Sequence, residues 1–136
     1  MANFVGSWKL VHTENMDALL QNLGINSVKR KFITSSKPEI TFTLEGNTMH
    51  MKTASPLKTV VISFTFGEEF KEETADGRTV MKSKATTFTK DSDNKISQVQ
   101  KSPKNTTHVV REIIHNKMIV TATVGDVRAV NTYQKV

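Results

Sequence analysis

The chain has 136 residues, 37% of them hydrophobic and 24% charged, with one Trp, one Tyr and no cysteine. This is the composition of one soluble domain long enough to bury a substantial core, not of a disordered or collagen-like chain, and no run approaches the roughly 20 apolar residues of a membrane-spanning helix. The net charge of +6 comes from Lys and Arg spread along the chain rather than clustered, with one Trp and one Tyr for stacking, which argues against nucleic acid and leaves anionic membranes or anionic small molecules as partners.

The opening, Met1 to Leu10, has only a short apolar stretch before Trp8 and Lys9 and does not read as a signal peptide. A first strand is expected around Val5 to Thr13. From Asn15 to Ser36 the spacing turns helical. Met16, Leu19, Leu20 and Leu23 follow the i, i+3, i+4, i+7 pattern, and Gly24 stands where a helix ends. Asn26 or Ser27 can cap a second helix with Val28, Phe32 and Ile33 on its apolar face, and Pro38 closes the region. Two short helices in a helix-turn-helix are predicted.

From Glu39 the period becomes two. Ile40, Phe42 and Leu44 alternate with threonines; Glu45-Gly46-Asn47 turns; Met49 and Met51 alternate with His50 and Lys52; Ile62, Phe64 and Phe66 alternate up to Gly67. Further turns are expected at Ala75-Asp76-Gly77-Arg78, Lys90 to Lys95, Ser102 to Asn105, His115 to Lys117 and Gly125-Asp126. This pattern predicts roughly ten short antiparallel strands at the spacing of a sandwich or barrel, with no βαβ alternation. Closing such a sheet into a barrel removes its edges, and the early helix pair then sits over one mouth as a lid.

A catalytic reading finds little to build on. There is no cysteine nucleophile and no Gly-x-Ser-x-Gly; His12, His50, His108 and His115 lack metal-ligand spacing; and Glu68, Glu69, Glu72 and Glu73 fit neither a calcium loop nor a catalytic pair. No enzyme activity, metal or cofactor is expected. One residue stands out instead. Arg111 lies in the strand-like run Val109 to Ile114 and shares a face with Val109 and Ile113. Period two alone does not say whether that face is inside or outside.

The chain resembles the intracellular lipid-binding proteins, specifically the cytosolic fatty-acid-binding proteins of invertebrate type. The resemblance runs over essentially the whole length. It is carried by the order and spacing of Phe4-Val5-Gly6-Ser7-Trp8-Lys9-Leu10, Asn15-Met16, Leu23-Gly24-Ile25, Lys37-Pro38, Thr53-Ala54-Ser55, Gly67-Glu68-Glu69-Phe70, Thr74-Ala75-Asp76 and Val110-Arg111-Glu112.

The resemblance implies an all-β, ten-stranded up-and-down clamshell barrel, a single domain over 1–136 with its helical lid at about 15–36. It also implies a cytoplasmic carrier with a long-chain fatty acid inside, and a monomer is expected because nothing in the sequence marks an interface. Arg111 then points inward and grips the carboxylate. Tyr133 occupies the tyrosine position of the family's last-strand Arg-x-Tyr, and Asn131 stands where that motif has its arginine. Arg128, three positions away, belongs to the opposite face of a regular strand and does not replace it.

The tail cavity implied is lined by Met16, Leu20, Leu23, Ile25, Val28, Ile33, Leu57, Ala75, Asp76, Gln100, Val120 and Ala122. Lys29, Arg30, Lys31, Lys37 and Lys58 would ring the portal with positive charge. Two other readings share the fold: a carrier of retinoids or other hydrophobic ligands, and a module that delivers lipid by collisional contact with anionic membranes.

Overall fold

The computed structural model describes residues 3–56, 59–72, 84–102 and 105–136. Ten strands form one sheet: β1 (Gly6–Glu14), β2 (Glu39–Glu45), β3 (Thr48–Ala54), β4 (Thr59–Thr65), β5 (Phe70–Glu72), β6 (Lys84–Ser92), β7 (Lys95–Lys101), β8 (Thr106–Ile114), β9 (Lys117–Val124) and β10 (Val127–Lys135). Helices α1 (Met16–Asn22) and α2 (Ser27–Ser35) lie between β1 and β2. The sheet order is β4-β3-β2-β1-β10-β9-β8-β7-β6-β5, so chain neighbours pair everywhere except at β4 and β5, and β1 meets β10. Strands β4 and β5 are consecutive in the chain yet stand at the two ends of the sheet.

Those two ends come together. The Phe64 ring of β4 stacks on Phe88 of β6 with centroids 3.7 Å apart, and the Gly67 N–H donates to the Phe88 carbonyl at 2.7 Å. Aromatic side chains thus fill the seam and the sheet is a nearly closed antiparallel barrel, the closed one of the two architectures that the strand spacing allows and the one the resemblance implies.

Turn chemistry sets the registers. At the β8–β9 hairpin His115 and Asn116 both have positive φ, 49° and 63°, the backbone of a two-residue turn whose twist matches the flanking strands. Gly125 at φ 56° turns the chain between β9 and β10, where Val124 pairs with Val127. The expected turn at Ala75 to Arg78 lies outside the described residues.

One irregularity matters for the site. Strand β1 shifts register against β10 between Leu10 and His12, and the extra residue, Val11, is exposed. The β10–β9 ladder runs unbroken from Val127 to Gln134. Strand β10 therefore keeps strict alternation: Ala129 and Tyr133 are buried and Arg128 is exposed.

Among the described residues two apolar clusters fill the interior. The larger contains Phe4, Trp8, Phe42, Met49, Phe64, Phe88, Ile96, Met118, Val120 and Tyr133. The Trp8 indole N–H donates to the Phe4 carbonyl at 2.9 Å and Phe4 meets Phe42 edge-to-face, which fixes the N-terminal segment against this cluster. The second lies under the helices: Leu19, Leu20, Leu23 and Ile25 pack on Val124 and Ala129, with Met16, Ile33, Ala122 and Val127 around them.

The helix pair is held by defined caps. After Leu23, Gly24 takes φ +83°. Its N–H reaches the Gln21 carbonyl, while the Ile25 N–H reaches that of Leu20, the paired closure that satisfies the last carbonyls of a helix. Both Leu20 and Ile25 are buried, so the closure also docks the inter-helix turn. The Asn26 side chain accepts from the Lys29 N–H at 2.9 Å and caps α2.

Candidate functional site: a buried cation inside the barrel

Arg111 is inward. Its relative exposure is 8%, and its neighbours on the same face of β8, Val109 and Thr107, are buried too. Taking a guanidinium this far from water is costly unless acceptors hold it. Here Nη1 donates to Gln98 Oε1 at 2.6 Å, and the guanidinium carbon lies 5.7 Å from the centre of the Phe88 ring. Gln98 was not singled out from the sequence. It shares the inward face of β7 with Gln100, and the β7–β8 register, Ile96 to Arg111 and Gln98 to Val109, sets it diagonally beside Arg111. That register was the missing signal.

Tyr133 joins the same site across β9. Arg111 pairs with Val120 and Tyr133 with Met118, two successive inward residues of that strand. The phenol is buried at 5% exposure. Burial pushes its pKa up to about 12 against an ordinary 10.0, while the positive charge of Arg111 pulls the other way. The hydroxyl is therefore a neutral donor at physiological pH, suited to an oxyanion that Arg111 balances.

Asn131 sits level with Arg111, both opposite Val120. Its Oδ1 accepts from the Thr13 hydroxyl at 2.6 Å, and its Nδ2 points at the Met16 sulfur at 3.9 Å. The amide thus links β10 to β1 and to the first turn of α1. Arg128 is on the outer face, its carbonyl taken by the Asn15 side chain.

Of the expected lining, Leu20, Leu23, Ile25 and Val120 are buried, and Met16, Ile33 and Ala122 pack around them. Gln100 is half-buried on the inward face of β7. Leu57, Lys58, Ala75 and Asp76 lie outside the described residues.

Two expectations are corrected. Val28 is 65% exposed and Phe32 54%; neither lines the interior. The reason is Arg30, which sits on the other side of α2 and donates to Asp17 Oδ1 at 3.1 Å and to the Ile25 carbonyl at 2.7 Å. These bonds turn the Arg30, Ile33 and Thr34 side of α2 inward and leave Val28 and Phe32 facing out. For the same reason Arg30 is no free portal charge: it is tied into the helix pair, whereas Lys29, Lys31 and Lys37 are exposed.

A cleft of about 500 Å³ also opens among Asn22, Thr106, His108, Thr123 and Gly125. His108 and Thr123 alternate with the inward residues of β8 and β9, while the buried Val124 also lines the cleft; Arg111, Gln98 and Tyr133 do not.

The barrel thus keeps a buried guanidinium and a buried phenol among apolar side chains, with a part-buried amide level with them. The comparisons place it more closely. Residues 5–136 match the lipocalin / cytosolic fatty-acid binding protein family, and the chain belongs to that family. It is 79% identical to fatty acid-binding protein type 3 of Fasciola hepatica over all 136 residues of both chains. It is 58% identical to type 2 from the same organism over 99% of each. The solved Schistosoma mansoni fatty acid binding protein in complex with arachidonic acid superposes with a TM-score of 0.94 at 40% identity, covering 100% of this chain and 98% of the other.

Proposed function

We propose that this protein is a non-enzymatic, cytosolic carrier of long-chain fatty acids. The carboxylate is held by Arg111 and Tyr133, and the tail runs toward the apolar cluster beneath α1 and α2, which act as a lid. The observation that carries the reading is the buried Arg111 between Gln98 and Phe88, one strand from the neutral phenol of Tyr133. A charge so placed gives a carboxylate paired hydrogen bonds in a low-dielectric setting. The surrounding leucines and valines then gain roughly 0.8 kcal/mol per methylene that they shield. Asn131 in place of a second arginine leaves weaker electrostatic capture, and neutral or bulkier lipids become better tolerated.

The test is direct. Lipid that co-purifies under native conditions is extracted and identified by mass spectrometry, and delipidated protein is titrated with oleate by calorimetry. Saturable binding near one or two equivalents is expected. Arg111→Ala is expected to weaken it about ten- to a hundredfold, the worth of a hydrogen-bonded charge pair. Unchanged oleate affinity in Arg111→Ala would move the head group elsewhere. Retinoid binding in place of any oleate heat would reassign the ligand.

The exposed pair Val28 and Phe32, beside the exposed Lys29 and Lys31, favours delivery by contact with anionic membranes. A basic helix with apolar side chains outward suits such a surface. Transfer of a fluorescent fatty acid to vesicles is then expected to accelerate with vesicle concentration and anionic lipid, and to lose that dependence in Phe32→Ser. A rate flat in vesicle concentration would mean release through water.

A further inference from the structure

The barrel interior holds a second polar level. Thr86 on β6, Gln100 on β7 and Thr107 on β8 are register partners across three adjacent strands, and each is on the inward face of its strand. Thr86 is fully buried and Thr107 is 4% exposed. Thr86 and Gln100 are engaged in polar contacts. The Thr107 hydroxyl is buried and finds no hydrogen-bond partner among the described residues. An apolar tail gives such a group nothing to bond, and a valine of the same shape would pack there without the desolvation cost.

We infer that this level is a second binding station, with Thr107 Oγ1 taking the hydroxyl or other oxygen of a mid-chain oxygenated fatty acid. The inference rests on the carrier reading above. Thr107 stands four residues along β8 from Arg111 on the same face, a rise of about 14 Å at about 3.4 Å per residue. With C–C bonds of about 1.5 Å, an extended acyl chain advances about 1.3 Å per carbon, so a carboxylate at Arg111 sets the station roughly ten to twelve carbons away. Thr107 is also opposite Val124, a member of the cluster under α1. The station therefore lies where the distal half of a chain runs beneath the helices.

The experiment compares stearate, 2-hydroxystearate and 12-hydroxystearate by calorimetry on delipidated wild type, Thr107→Val and Thr107→Ser. Thr107→Val is expected to lower the affinity for 12-hydroxystearate relative to stearate by about fivefold, the worth of one neutral hydrogen bond. Thr107→Ser is expected to restore the ratio, and the ratio for 2-hydroxystearate stays unchanged throughout. A 12-hydroxystearate to stearate ratio that is the same in wild type and Thr107→Val would overturn the station and leave Thr107 facing an ordered water only. In that case stearate still binds and the carrier reading stands. If stearate does not bind wild type at all, the carrier reading fails and the station falls with it.

Discussion

Tyr133 is the only tyrosine of the chain, so its ionisation can be followed without ambiguity by ultraviolet absorbance. Burial sets its pKa at about 12 in the folded protein, against 10.0 for the exposed phenol. Between those values the unfolded chain has released a proton that the folded chain retains, so folding stability falls as pH rises. The contribution is complete below pH 10 and lost through pH 12, and amounts to about 2–3 kcal/mol. A tyrosinate midpoint near 12 that drops toward 10 in urea is expected; a midpoint near 10 in the native protein would mean a solvated ring. Removing Arg111 takes away the charge that lowers this pKa, so Arg111→Ala is expected to move the midpoint further up. The opposite movement would show that the two groups do not share a site. Arg111 itself was only half legible in the sequence, because alternation groups Val109, Arg111 and Ile113 without saying which face they share. Its inward direction came from the resemblance. Gln98 was hidden for a different reason: its partner depends on the β7–β8 register, which hydrophobic alternation on each strand does not fix.

At the scale of elements, the helix pair depends on one backbone conformation. Gly24 has φ +83° with open space around the position where a side chain would begin. Gly24→Ala therefore introduces no clash, only the cost of a left-handed conformation for an L-residue, about 1–2 kcal/mol. Because the turn closes through Leu20 and Ile25, that loss falls on the packing of α1 and α2. Hydrogen exchange is expected to quicken in 16–35 while the β8–β10 amides stay protected; uniform acceleration across the barrel would contradict this independence. The first helix was legible down to its stop, since Met16, Leu19, Leu20 and Leu23 keep one face and Gly24 follows. The second was misread on its facing. Hydrophobicity pointed to Val28 and Phe32, but the bonds from Arg30 to Asp17 and to the Ile25 carbonyl decide the rotation of a helix with no buried residue. A pattern of apolar residues cannot anticipate a helix oriented by its one embedded arginine.

At the scale of the whole molecule, strand number and topology were written in the alternation and the turns, but the means of closing the barrel were not. The sheet ends at β4 and β5, and stacked side chains with the Gly67 to Phe88 backbone bond, rather than a ladder, join them. Phe64 and Phe66 of the β4 side meet edge-to-face at 5.5 Å, while Phe88 stacks on Phe64 at 3.7 Å and on Phe70 at 6.1 Å. Phe64 and Phe66 were visible in the alternation of their strand, yet the meeting of these rings depends on wrapping the sheet through its nine pairings. The seam also borders the site, because the Phe88 ring that closes it is the face on which Arg111 rests. Phe64, 3% exposed, touches the seam without touching Arg111 in any described contact. Phe64→Ala is thus expected to cost about 3–5 kcal/mol of stability, as large aromatic truncations in a core do. It should also speed ligand dissociation while leaving calorimetric stoichiometry unchanged, because Arg111 keeps Gln98 and Phe88. Chemical denaturation with stopped-flow release of a fluorescent fatty acid measures both. If stability falls but release does not quicken, ligand leaves past the helices alone, and the aromatic seam closes the barrel without gating it.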